Sequence, residues 1–370
     1  MRPSVRAAVL AIVLALPVAL SATPAHASPR PALAMRGADV STLPRALDLG
    51  AKFYDARGRR DSAYDILKQA GANYMRLRIW NDPVSNYSNK AKVLKQARAI
   101  KAEGLKLLVD FHYSDTWADP GKQYPPAAWA GHTIEQLQQD VYDYTYDICT
   151  SLKRQGTTPD SVQIGNEINT GMLWPQGAVA DSDFGPLAKL LKQGYAATKA
   201  CNRGTQVMIH TAHAGNLDAA RWFYDGIAAQ GVKWDITALS YYCMWHGSLA
   251  NLSTVITDVK ARYAKPVVIA ETAYPRTTEN GDFLENIITS AAPCDGIPAS
   301  PQGQAQEFAA VQDTARDAGA IGVFYWEPTW YAVDGNGWDP ADLDGSGNGW
   351  DNMATFDNTG RVNPYLVWRR

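Results

Sequence analysis

Two glutamates stand where apolar runs stop, Glu167 in SVQIGNEINTG and Glu271 in KPVVIAETAYP, about a hundred residues apart. Each is the first charge after a short β-like stretch, the place where a barrel of parallel strands presents its reacting groups. Such a pair of carboxyl groups can split a glycosidic bond: one protonates the leaving oxygen while the other attacks or activates water. On facing strand ends the two can come to about 5 Å, the separation that goes with retention of anomeric configuration. Asn166, just before Glu167, could bond the sugar hydroxyl beside the anomeric carbon. A single strand-end glutamate is more often half of an ion pair with a lysine or arginine. Two, each bordered by apolar strand and followed by a long loop, argue for chemistry.

Facing one another requires a frame. After Met35, short apolar runs alternate with longer segments of helical period, and eight such units can be counted. The strand-like runs are MRGADV from Met35, YMRLRI from Tyr74, KLLVDF from Lys106, SVQIG from Ser161, QVMIHT from Gln206, DITALSYY from Asp235, PVVIAE from Pro266 and GVFYW from Gly322. Between them, segments such as DSAYDILKQAG and GQAQEFAAVQDTARDAG repeat apolar residues at three and four. Near-continuous apolar strands imply burial on both faces, hence a parallel sheet wrapped by helices. The expectation is an α/β chain with one (β/α)8 TIM-barrel domain over residues 28–370 and long strand-to-helix loops. An open doubly wound sheet is disfavoured because no glycine-rich phosphate loop follows the first strand. Glu167 and Glu271 then fall on the fourth and seventh strand ends.

Arg2 and Arg6 precede an uncharged run from Ala7 to Leu20, too short to span a bilayer comfortably, and Ala25-His26-Ala27 offers a cleavage site. Residues 1–27 therefore read as a signal peptide, and the mature chain as secreted, extracellular or periplasmic. The net charge of −2 becomes −4 without the two leader arginines, and the basic residues are scattered. Neither nucleic acid nor a membrane is suggested as a partner, and no oligomer signal stands out, so monomer is the default. Four cysteines, Cys149, Cys201, Cys243 and Cys294, can oxidise after export. Of the three pairings, the barrel topology favours Cys149 with Cys201 at the ends of neighbouring helices, and Cys243 with Cys294 in two loops of one face. Buried free thiols are the alternative.

Of twelve tryptophans, Trp80, Trp117, Trp129, Trp174, Trp245, Trp326, Trp330, Trp338 and Trp350 fall at or after strand ends. In a barrel those loops share one face, so the bias builds an aromatic surface around the catalytic mouth. The C–H faces of sugars pack on such rings. For any one tryptophan, local loop packing explains its place as well as a sugar platform does.

The segments RGADVSTL from Arg36, RLRIWNDP from Arg76, LLVDFHYSDTWADPGKQ from Leu107, IGNEINTGMLWPQG from Ile164, HTAHAGN from His210, LSYYCMWHG from Leu239 and YWEPTW from Tyr325 run in order along the chain. Together they resemble glycoside hydrolase family 53, the arabinogalactan endo-β-1,4-galactanases of clan A. The resemblance implies a retaining enzyme acting on plant cell-wall galactan or type I arabinogalactan, with Glu167 as acid/base, Glu271 as nucleophile and no cofactor required for the chemistry. It matches Arg78 to the arginine that holds the nucleophile ionised, His112 to a donor for a sugar hydroxyl, Tyr241 to a hydrogen-bond partner of the nucleophile, and Trp326 to the subsite floor. Asp39, Asp110, Asp115, Trp117, Asp119 and Lys122 are expected to shape the cleft. Two departures are Cys243, where the family more usually has proline, and the acidic DLDGSGNGWDN from Asp342.

That acidic stretch also reads as a calcium loop, since Asp342, Asp344, Ser346 and Asn348 alternate around Gly345 and Gly347; the resemblance extends to bacterial members that bind calcium between the last two long loops, which would bring in Glu279. The closing bidentate glutamate of an EF-hand is missing, its place being Met353, so a solvated turn is an equal reading. A zinc hydrolase built on His112, His210 and His213 would leave both glutamates without a role. A non-catalytic sugar-binding barrel predicts loss of one carboxylate, and both are present. A mannanase, xylanase or cellulase of the same clan would share fold and mechanism, and only the loop motifs separate it.

Overall fold

Eight parallel strands close on themselves in chain order, β1 pairing with β2 and so round to β8 against β1. The computed structural model describes residues 32–369 together with Pro3 and Ser4. Apart from those two residues, the expected leader over 1–27 lies outside the described residues. The strands are β1 Met35–Asp39, β2 Tyr74–Ile79, β3 Lys106–Phe111, β4 Ser161–Ile164, β5 Gln206–Thr211, β6 Ile236–Ser240, β7 Val267–Glu271 and β8 Gly322–Tyr325. The helices are α1 Leu43–Asp48, α2 Ala63–Gln69, α3 Lys90–Ala102, α4 Ile134–Arg154, α5 Gly185–Cys201, α6 Leu217–Ala229, α7 Cys243–His246, α8 Leu249–Tyr263 and α9 Pro301–Asp317. This is the expected (β/α)8 barrel.

The apolar runs form strands because both faces are covered. One face looks into the barrel, where Met35, Tyr74, Leu108, Met208, Ile236, Ala238, Val268, Ala270 and Phe324 form a closed apolar plug. The other face meets the helices in a larger core. Gly37 is what admits the plug: a Cβ there would lie 1.9 Å from the Phe324 ring. Among the helices, α4 starts on a capping box between Thr133 and Gln136 and buries Leu137, Val141, Thr145, Ile148 and Leu152, a repeat of three and four that keeps one stripe on the barrel.

Strand parity then decides what stands above the plug. On β2 the inward residues are Tyr74, Arg76 and Arg78, so two arginines rise from one apolar base. The β6–β7 ladder carries an irregularity that pairs Leu239 with Ile269 but Ser240 with Glu271. This extra residue in β7 turns Glu271 toward the barrel mouth, the usual work of a bulge beside a site. Both disulfides favoured by the topology are present: Cys149–Cys201 joins α4 to α5, and Cys243–Cys294 joins α7 to the loop between β7 and α9. No helix among the described residues is long and apolar enough to cross a membrane.

Candidate active site

Directly above the plug lies a buried cation. The Arg76 side chain is 1% exposed, and Nη1 bonds Asp39 Oδ2 at 2.6 Å and Glu271 Oε1 at 2.9 Å. Nη2 reaches Asp110 Oδ2 and Asn166 Oδ1, each at 2.8 Å. Burial alone would lower the pKa of this guanidinium, but Asp110, Glu271 and Asp39 raise it, so it stays charged at every working pH. Asp110 is pushed up by burial, yet Arg76 and His112 more than offset that and hold it lowered.

Glu271 has two partners of the same sense. Oε1 accepts from Arg76, and Oε2 accepts from the Tyr242 hydroxyl at 2.9 Å. Glu167 is held differently, past the end of β4 in a left-handed turn with φ of +81° at Gly165 and +46° at Glu167 itself. Gln123 Nε2 secures that turn, donating to the carbonyls of Asn166 at 2.7 Å and Glu167 at 3.4 Å. The backbone N–H of Glu167 donates to His210 Nδ1 at 3.3 Å, which leaves the ring proton on Nε2 to bond Ser240 Oγ at 2.8 Å. Burial holds His210 neutral, its pKa well below the ordinary value. Ser240 in turn bonds the Glu167 carboxyl. Burial pushes the carboxyl of Glu167 above its ordinary value. Glu271 is also raised by burial, with Arg76 opposing and the charge of Glu167 adding to the rise.

Both carboxyls open on one cleft of about 560 Å³. Arg78, His112, Asn166, Asp39, Asp119, Lys122, Trp117 and Trp326 line it, as do Trp245, Trp330, Trp338 and Trp350. Trp117 is stacked on Trp330 with centroids 5.8 Å apart, and Trp326 meets Trp330 and Trp350 edge-on. Trp80, Trp129 and Trp174, by contrast, are not among the lining residues.

Several expected roles fall to different residues. The arginine on Glu271 is Arg76, one inward layer deeper than Arg78. Arg78 pairs with Glu327 Oε1 at 3.2 Å and lies over the rings of Trp117 and Trp80, 3.9 and 4.6 Å from their centroids. The tyrosine on Glu271 is Tyr242; the Tyr241 hydroxyl faces the opposite way and donates to the Gly247 carbonyl. His112 has no free ring nitrogen for a sugar, since Nδ1 accepts from Trp80 Nε1 and the Ala118 N–H while Nε2 meets Asp110. It offers the cleft its ring. The amide of Asn166 is likewise engaged, by Arg76 and the Ala118 carbonyl. Asp115 is outside the cleft lining and staples two loops through the N–H groups of Asp82 and Ala127. Strand parity was the signal for Tyr242, since Ala238, Ser240 and Tyr242 alternate inward together; Arg76 and Arg78 share one parity on β2, with Asp39 in register with the first and Asp110 with the second.

The residues expected to hold calcium do not converge. Asp344 pairs with Arg45 at 2.6 Å, Asp342 caps the Gly345 N–H, and Asn348 spends its amide on the Trp330 carbonyl and the Trp350 N–H. No cluster of three or more His, Cys, Asp or Glu able to hold a metal exists among the described residues. Glu279 contributes only its backbone, to Thr277 and Asn286.

Comparison with known proteins gives three findings of one kind. The sequence pattern described as Glycosyl hydrolase family 53 matches residues 35–367. The endo-beta-1,4-galactanase of Bacillus subtilis (strain 168) is 35% identical over 309 residues, covering 81% of this chain and 71% of that one. The arabinogalactan endo-beta-1,4-galactanase of Cellvibrio japonicus (strain Ueda107) is 36% identical over 307 residues, covering 80% and 81%. Among solved structures, the GH53 catalytic domain of Ignisphaera aggregans superposes with a TM-score of 0.86 at 37% identity, over 90% of this chain and 95% of that one.

Proposed function

This chain belongs to glycosyl hydrolase family 53, and from that membership we propose that it is an exported endo-β-1,4-galactanase whose two working carboxyls are Glu167 and Glu271. The observation that carries the assignment of roles is the unequal company they keep in one cleft. Glu271 receives a guanidinium and a phenolic hydroxyl, both of which favour its ionised form. Glu167 has Ser240, a neutral histidine behind it and, among the described residues, no cation in contact, so its surroundings favour the protonated form where those of Glu271 favour the ionised one.

In the first step Glu167 protonates the glycosidic oxygen while Glu271 attacks the anomeric carbon, giving a covalent glycosyl-enzyme. In the second, ionised Glu167 takes a proton from water, which displaces Glu271, and two inversions leave the β configuration retained. Arg76 keeps its charge throughout and balances Asp39, Asp110 and the charge that Glu271 loses and regains. Trp326, half-buried in the cleft wall, offers a ring to a sugar, with Trp245 and Trp338 exposed at the rim. The galactan substrate is supported by the names of the relatives, and export by the leader pattern and by two disulfides. The proposed mature chain is the single barrel domain over residues 28–370. The chemistry as written uses no metal.

The test joins substrate and roles. Purified protein should cut β-1,4-galactan internally, release product first as the β anomer by proton NMR, and leave mannan, xylan and cellulose intact. Glu271→Ala should abolish turnover of an aryl β-galactobioside, and azide should restore part of it with formation of the α-azide. An α anomer released first, or α-azide formed by Glu167→Ala instead, sinks the assignment.

A further inference from the structure

The geometry points to the Cys243–Cys294 disulfide as the positioning element that holds Tyr242 on the carboxyl of Glu271 and Trp245 at the cleft rim. This rests on the reading of Glu271 as the nucleophile. From the end of β6 at Ser240 to the start of α8 at Leu249, the chain forms only the four-residue turn α7, whose residues bury no side chain. Tyr242 enters that turn and Cys243 follows it at once. The last tie to the sheet is the Tyr241 N–H on the Glu271 carbonyl at 2.9 Å; beyond it the bonds are within the turn, where Trp245 and His246 donate their N–H groups to the Tyr242 carbonyl and the Tyr242 N–H donates to His246 Nδ1. Trp245 is half-exposed and meets the rings of Tyr242 and Trp350 edge-on. A turn bonded mainly to itself can shift as a body, carrying Tyr242 with it.

The covalent link removes that freedom. Cys294 sits at a fixed corner of the loop that follows β7: the Ile297 N–H donates to the Cys294 carbonyl at 2.9 Å, and the Ile297 carbonyl accepts from the buried Tyr274 at 2.6 Å. Because β7 ends on Glu271, the disulfide ties the turn carrying the donor to the loop leaving the acceptor. From the other side α7 touches the loop after β5, where a Cβ on Gly215 would lie 2.0 Å from the His246 carbonyl oxygen; this blocks inward movement and leaves outward movement to the disulfide. Cys149–Cys201 provides the contrast, since it joins two long helices, α4 and α5, that also pack extensively on one another.

The groups facing Glu271 are Arg76 from β2, Asp39 from β1, Asp110 from β3, Glu167 from beyond β4 and Tyr242 from beyond β6. Only Tyr242 depends on α7. Losing its donated hydrogen bond makes ionisation of Glu271 harder, so the acid limb of kcat/KM should move to higher pH.

The experiment compares Cys243→Ser/Cys294→Ser with Cys149→Ser/Cys201→Ser, each with and without Tyr242→Phe. The first pair should move the acid limb up by about one pH unit and lower kcat roughly tenfold, the size of one charge-assisted hydrogen bond. It should do neither once Tyr242 is phenylalanine. The second pair should change Tm alone. An unmoved limb with only Tm lowered, or a shift that persists in the Tyr242→Phe background, overturns the proposal. Movement of the alkaline limb by Tyr242→Phe alone would instead mean that the two carboxyl roles are exchanged. Where the serine variant fails to accumulate, the folded enzyme is reduced with a phosphine, alkylated at Cys243 and Cys294, and assayed for the same two limbs.

Discussion

Replacing Arg76 by lysine should cripple the enzyme below neutral pH without unfolding it. One guanidinium serves Asp39 at 2.6 Å, Asp110 at 2.8 Å and Glu271 at 2.9 Å, with Asn166 also on Nη2. An ammonium keeps the charge but is a single point with three donors, and cannot reproduce a planar fork spanning three strands. Glu271, with the longest of the three carboxylate contacts, should lose its donor first. A hydrogen bond to a charged group contributes about 1.5–3 kcal/mol, or about one to two pH units of carboxyl ionisation. A protonated nucleophile cannot attack, so the acid limb should climb by that amount, and kcat/KM near pH 5 should fall roughly 10- to 100-fold. The alkaline side, set by Glu167, should hold. Arg76→Met is the harsher change, leaving three buried carboxylates unbalanced at about 3–5 kcal/mol per broken pair, and should prevent folding. The assay is the initial rate on galactan from pH 4 to 9, with Tm as the control for folding, and Arg78→Lys measured alongside. Since Arg78 engages Glu327 and lies over Trp117, its replacement should raise KM and leave the acid limb in place. An acid limb that follows Arg78→Lys and ignores Arg76→Lys would refute the reasoning.

The neighbouring tyrosines should separate in the same assay: Tyr242→Phe should lower kcat roughly tenfold and raise the acid limb, whereas Tyr241→Phe, which loses a bond to the Gly247 carbonyl, should only lower Tm. Equal effects of the two would show that neither hydroxyl addresses Glu271. Glu307, on the buried side of α9, contributes to the dependence of stability on pH. Burial and Asp295 raise its carboxyl from 4.5 to about 7, so the folded protein keeps a proton that the unfolded chain has released. Its contribution is therefore fully present below pH 4.5 and lost as pH rises through about 7, on the order of 3 kcal/mol in all. Glu307→Gln should flatten the fall of Tm between pH 5 and 8; a decline as steep as that of the parent protein counts against it.

How far the sequence reached is clearest at β6 and β2. Apolar runs announced the strands because the plug covers one face and the helices the other over most of their length, and Glu167 and Glu271 were visible as the charges that end such runs. The cysteine pairs followed from which helices and loops a barrel sets side by side. What failed was the choice between near neighbours. Arg76 and Arg78 both point inward, and strand register does not choose between them, Asp39 standing beside Arg76 and Asp110 beside Arg78; only the depth of Glu271 above the plug tells which one meets it. Tyr241 and Tyr242 differ by a single flip of the strand; the inward series through Ala238 and Ser240 selects the second. The partners of Asp344 and Asn348 are Arg45 and Trp330, far away in the chain or deep in the core, and spacing within the acidic loop carries no record of them.

Six of the twelve tryptophans stand around a single cleft, which gives the molecule a native optical signature. Trp117 and Trp330 are parallel to within 20° at 5.8 Å, and Trp326 crosses Trp330 at 70°, distances at which neighbouring indole transitions couple. Near-ultraviolet circular dichroism and emission of the protein should thus be dominated by the substrate face, with Trp234 and Trp368, buried in the core away from the cleft, as a constant background. Galactan does not absorb there. Its occupancy, and any displacement of one ring against the next, can be read from the unlabelled enzyme.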